Sequence, residues 1–310
     1  MLISRLAALL IRLAAGPAAF GEAAPFHAGL VRLPVGGEKP FDALVWYPTA
    51  GTEVLWKAGP FAIPASRDAA IAPGRFPIVL FSHGGGPGGG SPLILTDLSS
   101  DLARHGFVVV APFHGGTGLR HRALQVTLVL DAVVADPRFA PHVDPERLAM
   151  LGFSLGTAVT LQLAGAVPNA GHLVSYCAAH PDDIMSCGHA PDGGNARAFP
   201  ADRVSTPTLR SLKAIVLLDP YAVLFQPPEL VAVTMPVLLP CPTRRGSRPF
   251  RAATLSSRTS AGRRCDRPHR RYAGIRRRSI AQPSTRGSRA KSSGFSGNGF
   301  SPTLPALLSR

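Results

Sequence analysis

The chain has 310 residues, 45% of them hydrophobic and 16% charged, with only four cysteines. That apolar fraction excludes a wholly disordered chain, and the cysteine count excludes a disulfide-dense mini-protein. The net charge of +15 would by itself point to nucleic acid or an anionic surface. Its distribution argues otherwise. Residues Pro240 to Arg310 hold 17 Lys+Arg against one acid, Asp266, and residues 1–239 hold 16 bases against 17 acids. The body is therefore near −1 and the last 71 residues near +16.

The N-terminus joins a basic residue, an apolar run and small residues near Ala23, which is a secretory signal pattern over 1–23, although Arg12 interrupts the run. It implies a periplasmic or secreted protein. The run is too short and too broken to span a bilayer. Phe41 to Tyr47 alternates like an early antiparallel strand. Phe76–Ser82 and Phe107–Pro112 are short β-branched apolar runs, read as buried strands. Leu93 to His105 has helical spacing and stops at Gly106, and Leu124 to Ala135 reads as another helix. Arg147–Phe153 is a strand, Leu155–Ala164 a helix, Lys213–Asp219 a strand, and Met235–Leu239 begins one more. This alternation predicts an α/β fold: a mostly parallel sheet with helices on both faces. Residues 166–212 form a long, lid-like insertion. After Leu239 the periodicity ends, and 240–310, rich in Arg, Ser, Pro and Gly, reads as a disordered tail.

The sharpest motif is Gly152-Phe153-Ser154-Leu155-Gly156, placed between a strand and a helix. That context defines a nucleophile elbow, in which a tight turn lifts the Ser154 hydroxyl above the strand's C-terminal end. Ser82-His83-Gly84-Gly85-Gly86 ends an earlier strand, where a glycine loop can aim a backbone N–H at a developing oxyanion. The N–H groups of Gly85 and Leu155 are the candidate oxyanion donors. His83 is expected to brace its loop. Asp219, at the end of a parallel strand, would share the rim of Ser154 and is the candidate triad acid. The base is harder to place. Only His269 follows Asp219, and its Arg-rich surroundings disfavour it. His114 lies near the rim and is read as bonded to a loop. Cys177 and Cys187 could close a disulfide in an exported protein. No metal or cofactor is expected.

Together these segments resemble the α/β-hydrolase superfamily. More narrowly, they resemble the bacterial dienelactone-hydrolase-like proteins related to platelet-activating-factor acetylhydrolases. The resemblance covers residues 26–239 and rests on Ala43–Pro48, Arg75–Gly84, Gly106–Pro112, Asp136–Ala140, the elbow and Lys213–Pro220. It implies an α/β-hydrolase fold whose C-terminal part is missing or replaced. It also implies a serine ester hydrolase acting through an acyl-enzyme on short-chain or phospholipid acetyl esters, with Ser154, Asp219, Gly85 and Leu155 in the roles given. Lactones fit less well, because dienelactone hydrolases often use Cys where this chain has Ser. In the family the strand at Met235–Leu239 leads to a Gly-x-x-Asp loop and later a His loop. Here it leads to Pro240-Cys241-Pro242-Thr243-Arg244-Arg245, text of the kind a GC-rich gene yields out of frame. A frameshift near Leu239 is therefore expected, and the idea fails if no alternative frame of the coding DNA restores both loops. The competing reading is a dead hydrolase core whose cationic tail binds nucleic acid or anionic lipid. The confinement of the charge to the tail, and the tail's few aromatics, weigh against nucleic acid.

Overall fold

A computed structural model of the chain describes residues 24–85, 90–115, 118–188 and 208–240. All of these lie in one compact unit, Met1–Thr259. Among the described residues nine strands form one sheet in the order β3-β4-β1-β2-β6-β5-β7-β8-β9. They are β1 (His27–Val35), β2 (Phe41–Thr49), β3 (Val54–Ala58), β4 (Phe61–Arg67), β5 (Phe76–Ser82), β6 (Val108–Pro112), β7 (Val143–Phe153), β8 (Leu212–Leu218) and β9 (Val237–Leu238). Strand β2 runs antiparallel to both β1 and β6, whereas β6, β5, β7, β8 and β9 are mutually parallel. The parallel strands are continuous apolar runs because both their faces are covered. In β5 all seven residues are buried.

Helix α1 (Thr96–Arg104) covers one face, with Leu102 and Ala103 among Leu44, Trp46, Phe81 and Val109. Helices α2 (Leu119–Ala135) and α3 (Leu155–Leu163) cover the other, where Val126, Val129 and Val159 meet Val45, Ile78 and Met150. The strand order 1-2-4-3-5-6-7 from β1 to β9 (leaving out the β3–β4 hairpin), with the elbow after the fifth of these strands, is the α/β-hydrolase arrangement.

The structure differs from the sequence reading in several boundaries. Helix α2 starts at Leu119, five residues earlier than expected, and β7 starts at Val143, the register shifting beside Pro77/Ile78. Strand β1 and the β3–β4 hairpin were not expected. Within the insertion, helices α4 (Ala170–Ala179) and α5 (Ile184–Cys187) are joined by a disulfide between Cys177 and Cys187, as the cysteine spacing allowed. This bond fits an extracellular location. Replacing both cysteines by Ser should cost about 2–3 kcal/mol, the loop-entropy value for a ten-residue closure. Urea unfolding with and without reductant measures this. An unchanged midpoint would show that the bond constrains nothing in the unfolded chain. Among the described residues no helix is long and apolar enough to cross a membrane. The signal-type segment, His269 and the basic tail lie outside the described residues.

Candidate active site

Five parallel strands end on one rim, so the residues that follow them converge there. His83 follows β5, His114 lies two residues past β6, Ser154 follows β7 and Asp219 follows β8. Ser154 has φ 50° and ψ −120°, a conformation that L-residues avoid. Its N–H donates to the carbonyl of Leu218 at 3.0 Å, which fixes the elbow against the end of β8. The flanking glycines are steric requirements. A Cβ on Gly152 would lie 2.6 Å from the Thr157 Cα, and one on Gly156 would collide with the Ser82 carbonyl. Helix α3 can thus press its first turn against the ends of β5 and β7.

The glycine loop after β5 packs on the elbow. A Cβ on Gly84 would sit 3.2 Å from the Ser154 Cβ, and one on Gly85 would sit 3.0 Å from the Leu155 Cδ2. The structure therefore brings Ser154, Leu155 and Gly85 together. Asp219 also has positive φ, 47°, and is tied to the elbow from both sides. Its predecessor Leu218 accepts from the Ser154 N–H, and the Tyr221 N–H donates to the Thr157 Oγ1 at 2.9 Å. Tyr221 also donates its hydroxyl to the Ser186 carbonyl at 2.6 Å, which links the cystine-closed insertion to the loop that carries Asp219.

Beneath the glycine loop lies a buried polar network that the sequence reading missed. Arg122, 1% exposed, donates from Nη1 to the carbonyls of His83 at 3.0 Å and Gly84 at 3.2 Å. Burial pulls its guanidinium down to about 10, so it stays charged at neutral pH. The signal was present. Leu119, Arg122, Ala123 and Val126 share one helical stripe, which puts Arg122 on the buried face. His83 accepts the His114 backbone N–H at Nε2, so Nδ1 carries the proton and donates to the Gly84 carbonyl at 2.8 Å. This is the bracing role expected of His83. His114 bonds Gln125 Oε1 through Nδ1 at 2.9 Å, leaving Nε2 to accept the Ser82 hydroxyl at 3.0 Å. Both imidazoles are thus committed in the neutral form to holding the loop.

That commitment has a pH consequence. Burial, with the charge of Arg122 adding to it, lowers His83 to about 4, and burial likewise pushes His114 well below its ordinary value. The unfolded chain takes up these protons near pH 6.5 and the folded one does not. Stability is therefore full above about 6.5 and falls as the pH drops toward 4. His83 alone should remove about 2 kcal/mol by pH 5, where most carboxylates are still ionised. Urea midpoints at pH 7 and pH 5 test this. Equal midpoints would mean that the histidines are not held neutral.

The strand order and the elbow define the α/β-hydrolase fold. Residues 49–120 match the family profile of platelet-activating factor acetylhydrolase, isoform II, a stretch that runs from the end of β2 through the glycine loop to the start of α2 and stops short of Ser154. The chain is similar to that family over this stretch. No curated protein matches it. Among solved structures, the ferulic acid esterase from Streptomyces cinnamoneus aligns at 23% identity and a TM-score of 0.37, over 47% of this chain and 56% of that one. The chain thus spans about half of that enzyme's length. With so low a score, the fold assignment rests on strand order and elbow.

Proposed function

We propose that the protein is a serine ester hydrolase working through an acyl-enzyme. The observation that carries this reading is the strained Ser154 backbone, φ 50° and ψ −120°, kept on a glycine-flanked turn against the Gly84–Gly85 loop. Strain of this kind persists where the surrounding structure enforces it, and it concentrates at reactive positions. Ser154 Oγ would attack the ester carbonyl carbon. The carbonyl oxygen, becoming an oxyanion, would take hydrogen bonds from the N–H groups of Gly85 and Leu155. A general base would take the Ser154 proton and pass it to the alkoxide, which leaves as the alcohol, and the same base would deprotonate the water that then hydrolyses the acyl-serine. Asp219 would orient and stabilise a protonated imidazole. Among the described histidines on the rim, His83 and His114 are both engaged in holding the loop, so the general base falls outside this network. The chain as it stands is therefore expected to turn over slowly.

The substrate class that the family likeness supports is short-chain esters, including the acetyl esters of phospholipids. The test is p-nitrophenyl acetate with the full-length chain. A release of p-nitrophenol that disappears in Ser154→Ala supports the reading, and release unchanged by that substitution overturns it.

A further inference from the structure

The Gly85 N–H, the candidate oxyanion donor of the glycine loop, belongs to the same rigid peptide unit as the Gly84 carbonyl. In a trans peptide the two point in opposite directions, so whatever holds the carbonyl also aims the N–H. The Gly84 oxygen is held on three sides. Arg122 Nη1 donates to it at 3.2 Å and His83 Nδ1 at 2.8 Å, which occupies both lone pairs. Gly90, where the loop returns, closes over it: a Cβ there would collide with the Gly84 oxygen and lie 2.9 Å from His83 Nδ1. Turning this peptide over would strip Arg122 and His83 of a shared, buried acceptor, so its orientation is set before any ester binds.

Arg122 Nη1 also donates to the preceding carbonyl, that of His83, at 3.0 Å. Two successive carbonyls thus converge on one guanidinium nitrogen. Their partner N–H groups, of Gly84 and Gly85, face the other way, as in the concave backbone donor pairs that bind anions. The elbow lies close by, since a Cβ on Gly84 would be 3.2 Å from the Ser154 Cβ. Gly85 is exposed, and among the described residues its N–H has no acceptor, so the donor is open to a substrate oxygen. The buried cation stands just behind it: Arg122 Nη2 is 4.0 Å from the place a Gly85 Cβ would take. A charged donor on the carbonyl polarises the peptide and makes the N–H at its other end a stronger donor.

We propose that Arg122 is the positioning residue of the oxyanion site: by holding the Gly84 carbonyl together with His83, it aims the Gly85 N–H at the ester oxygen and strengthens that hydrogen bond as negative charge develops. The inference rests on the ester-hydrolase reading and deepens it, giving a contribution to the rate to a side chain that touches no substrate.

The test follows Ser154-dependent release of p-nitrophenol from p-nitrophenyl acetate by full-length variants whose folding is checked by urea unfolding. Arg122→Met removes the charge and both bonds. It should lower the saturating rate by about 100-fold, the low end of what losing one oxyanion donor costs, and leave KM little changed, because the bond tightens in the transition state. Arg122→Lys retains the charge and a donor, and should recover about tenfold of that loss. A residue that merely stabilised the fold would not split kcat from KM in this way. Nitrogen NMR of chains labelled with 15N-glycine reads the peptide itself. The Gly85 signal, identified by its loss in Gly85→Ala, should move upfield in Arg122→Met, since an amide nitrogen resonates further downfield when the carbonyl of its peptide accepts hydrogen bonds. Should Arg122→Met not fold, His83 carries the same reading. Asn places an amide donor where Nδ1 stands and Gln where Nε2 stands, so His83→Gln should lose about tenfold more rate than His83→Asn. An unmoved Gly85 signal, a loss confined to KM, or equal losses in the two His83 variants overturns the proposal. If the native chain shows no Ser154-dependent release, the hydrolase reading falls and this proposal with it. If that release is present and Arg122→Met keeps the native rate, this proposal alone falls.

Discussion

Ser154→Gly removes ester hydrolysis and yields a protein more stable than Ser154→Ala by about 1 kcal/mol. The first part follows from chemistry: loss of a serine nucleophile costs on the order of a millionfold where the rest of the machinery is intact. The second follows from backbone geometry. At an ordinary position Gly is less stable than Ala by about 0.5–1 kcal/mol, because the unfolded chain gains freedom. At φ 50° and ψ −120° the order reverses, since only Gly adopts that conformation without strain, and the strain is worth about 1–3 kcal/mol. The pair of substitutions thus separates the hydroxyl from the turn. Urea unfolding of the two variants reads the difference directly. If Ser154→Ala is the more stable, Ser154 does not occupy a strained elbow.

Gly156→Ala should be among the most damaging single-methyl additions in the chain. Its Cβ would collide with the Ser82 carbonyl and approach the His83 carbonyl to 2.9 Å. Neither is a flexible side chain that can swing away. Helix α3 would have to lift from the end of β5, and forced overpacking of this kind costs on the order of 3 kcal/mol. Lifting α3 also moves the Leu155 N–H away from Gly85, so activity should fall even in the molecules that fold. Gly36→Ala is the control, because a Cβ there meets nothing within 4 Å. It should lie within about 0.5 kcal/mol of the native chain. Equal effects at the two positions would contradict the close approach of α3 to β5.

The parts of the fold that could be read from the sequence are those where one physical signal dominated. Phe76–Ser82 and Lys213–Leu218 are apolar, β-branched runs, and they emerge as β5 and β8, buried on both faces. The elbow was readable because glycines at 152 and 156 around a serine have few other uses between a strand and a helix. Strand β1 was missed because Gly29 and Pro34 are poor strand residues. In the structure Gly29 is opposite Tyr47, and any Cβ would strike the tyrosine ring. Cross-strand packing therefore overrides local preference there. The β3–β4 hairpin was missed because Val54 and Leu55 are exposed, so no alternation marks a buried face in β3, and Pro64 interrupts the short alternation of Ile63 and Ala65 in β4. At the site, Ser154, Leu155, Gly85 and Asp219 were named from motif and strand order. The buried place of Arg122 was readable from its helical stripe, but its carbonyl partners and the paired roles of His83 and His114 depend on which strand ends meet, and that is a property of topology.

The composition changes after Leu239, one residue past the end of β9, the last strand described. The central claim, a reactive serine at the elbow, has a direct test. The full-length chain is treated with diisopropyl fluorophosphate, digested, and mapped by mass spectrometry. A single adduct on the peptide containing Ser154, absent in Ser154→Ala, is the result expected. An adduct on another residue, or labelling that persists in Ser154→Ala, would contradict it.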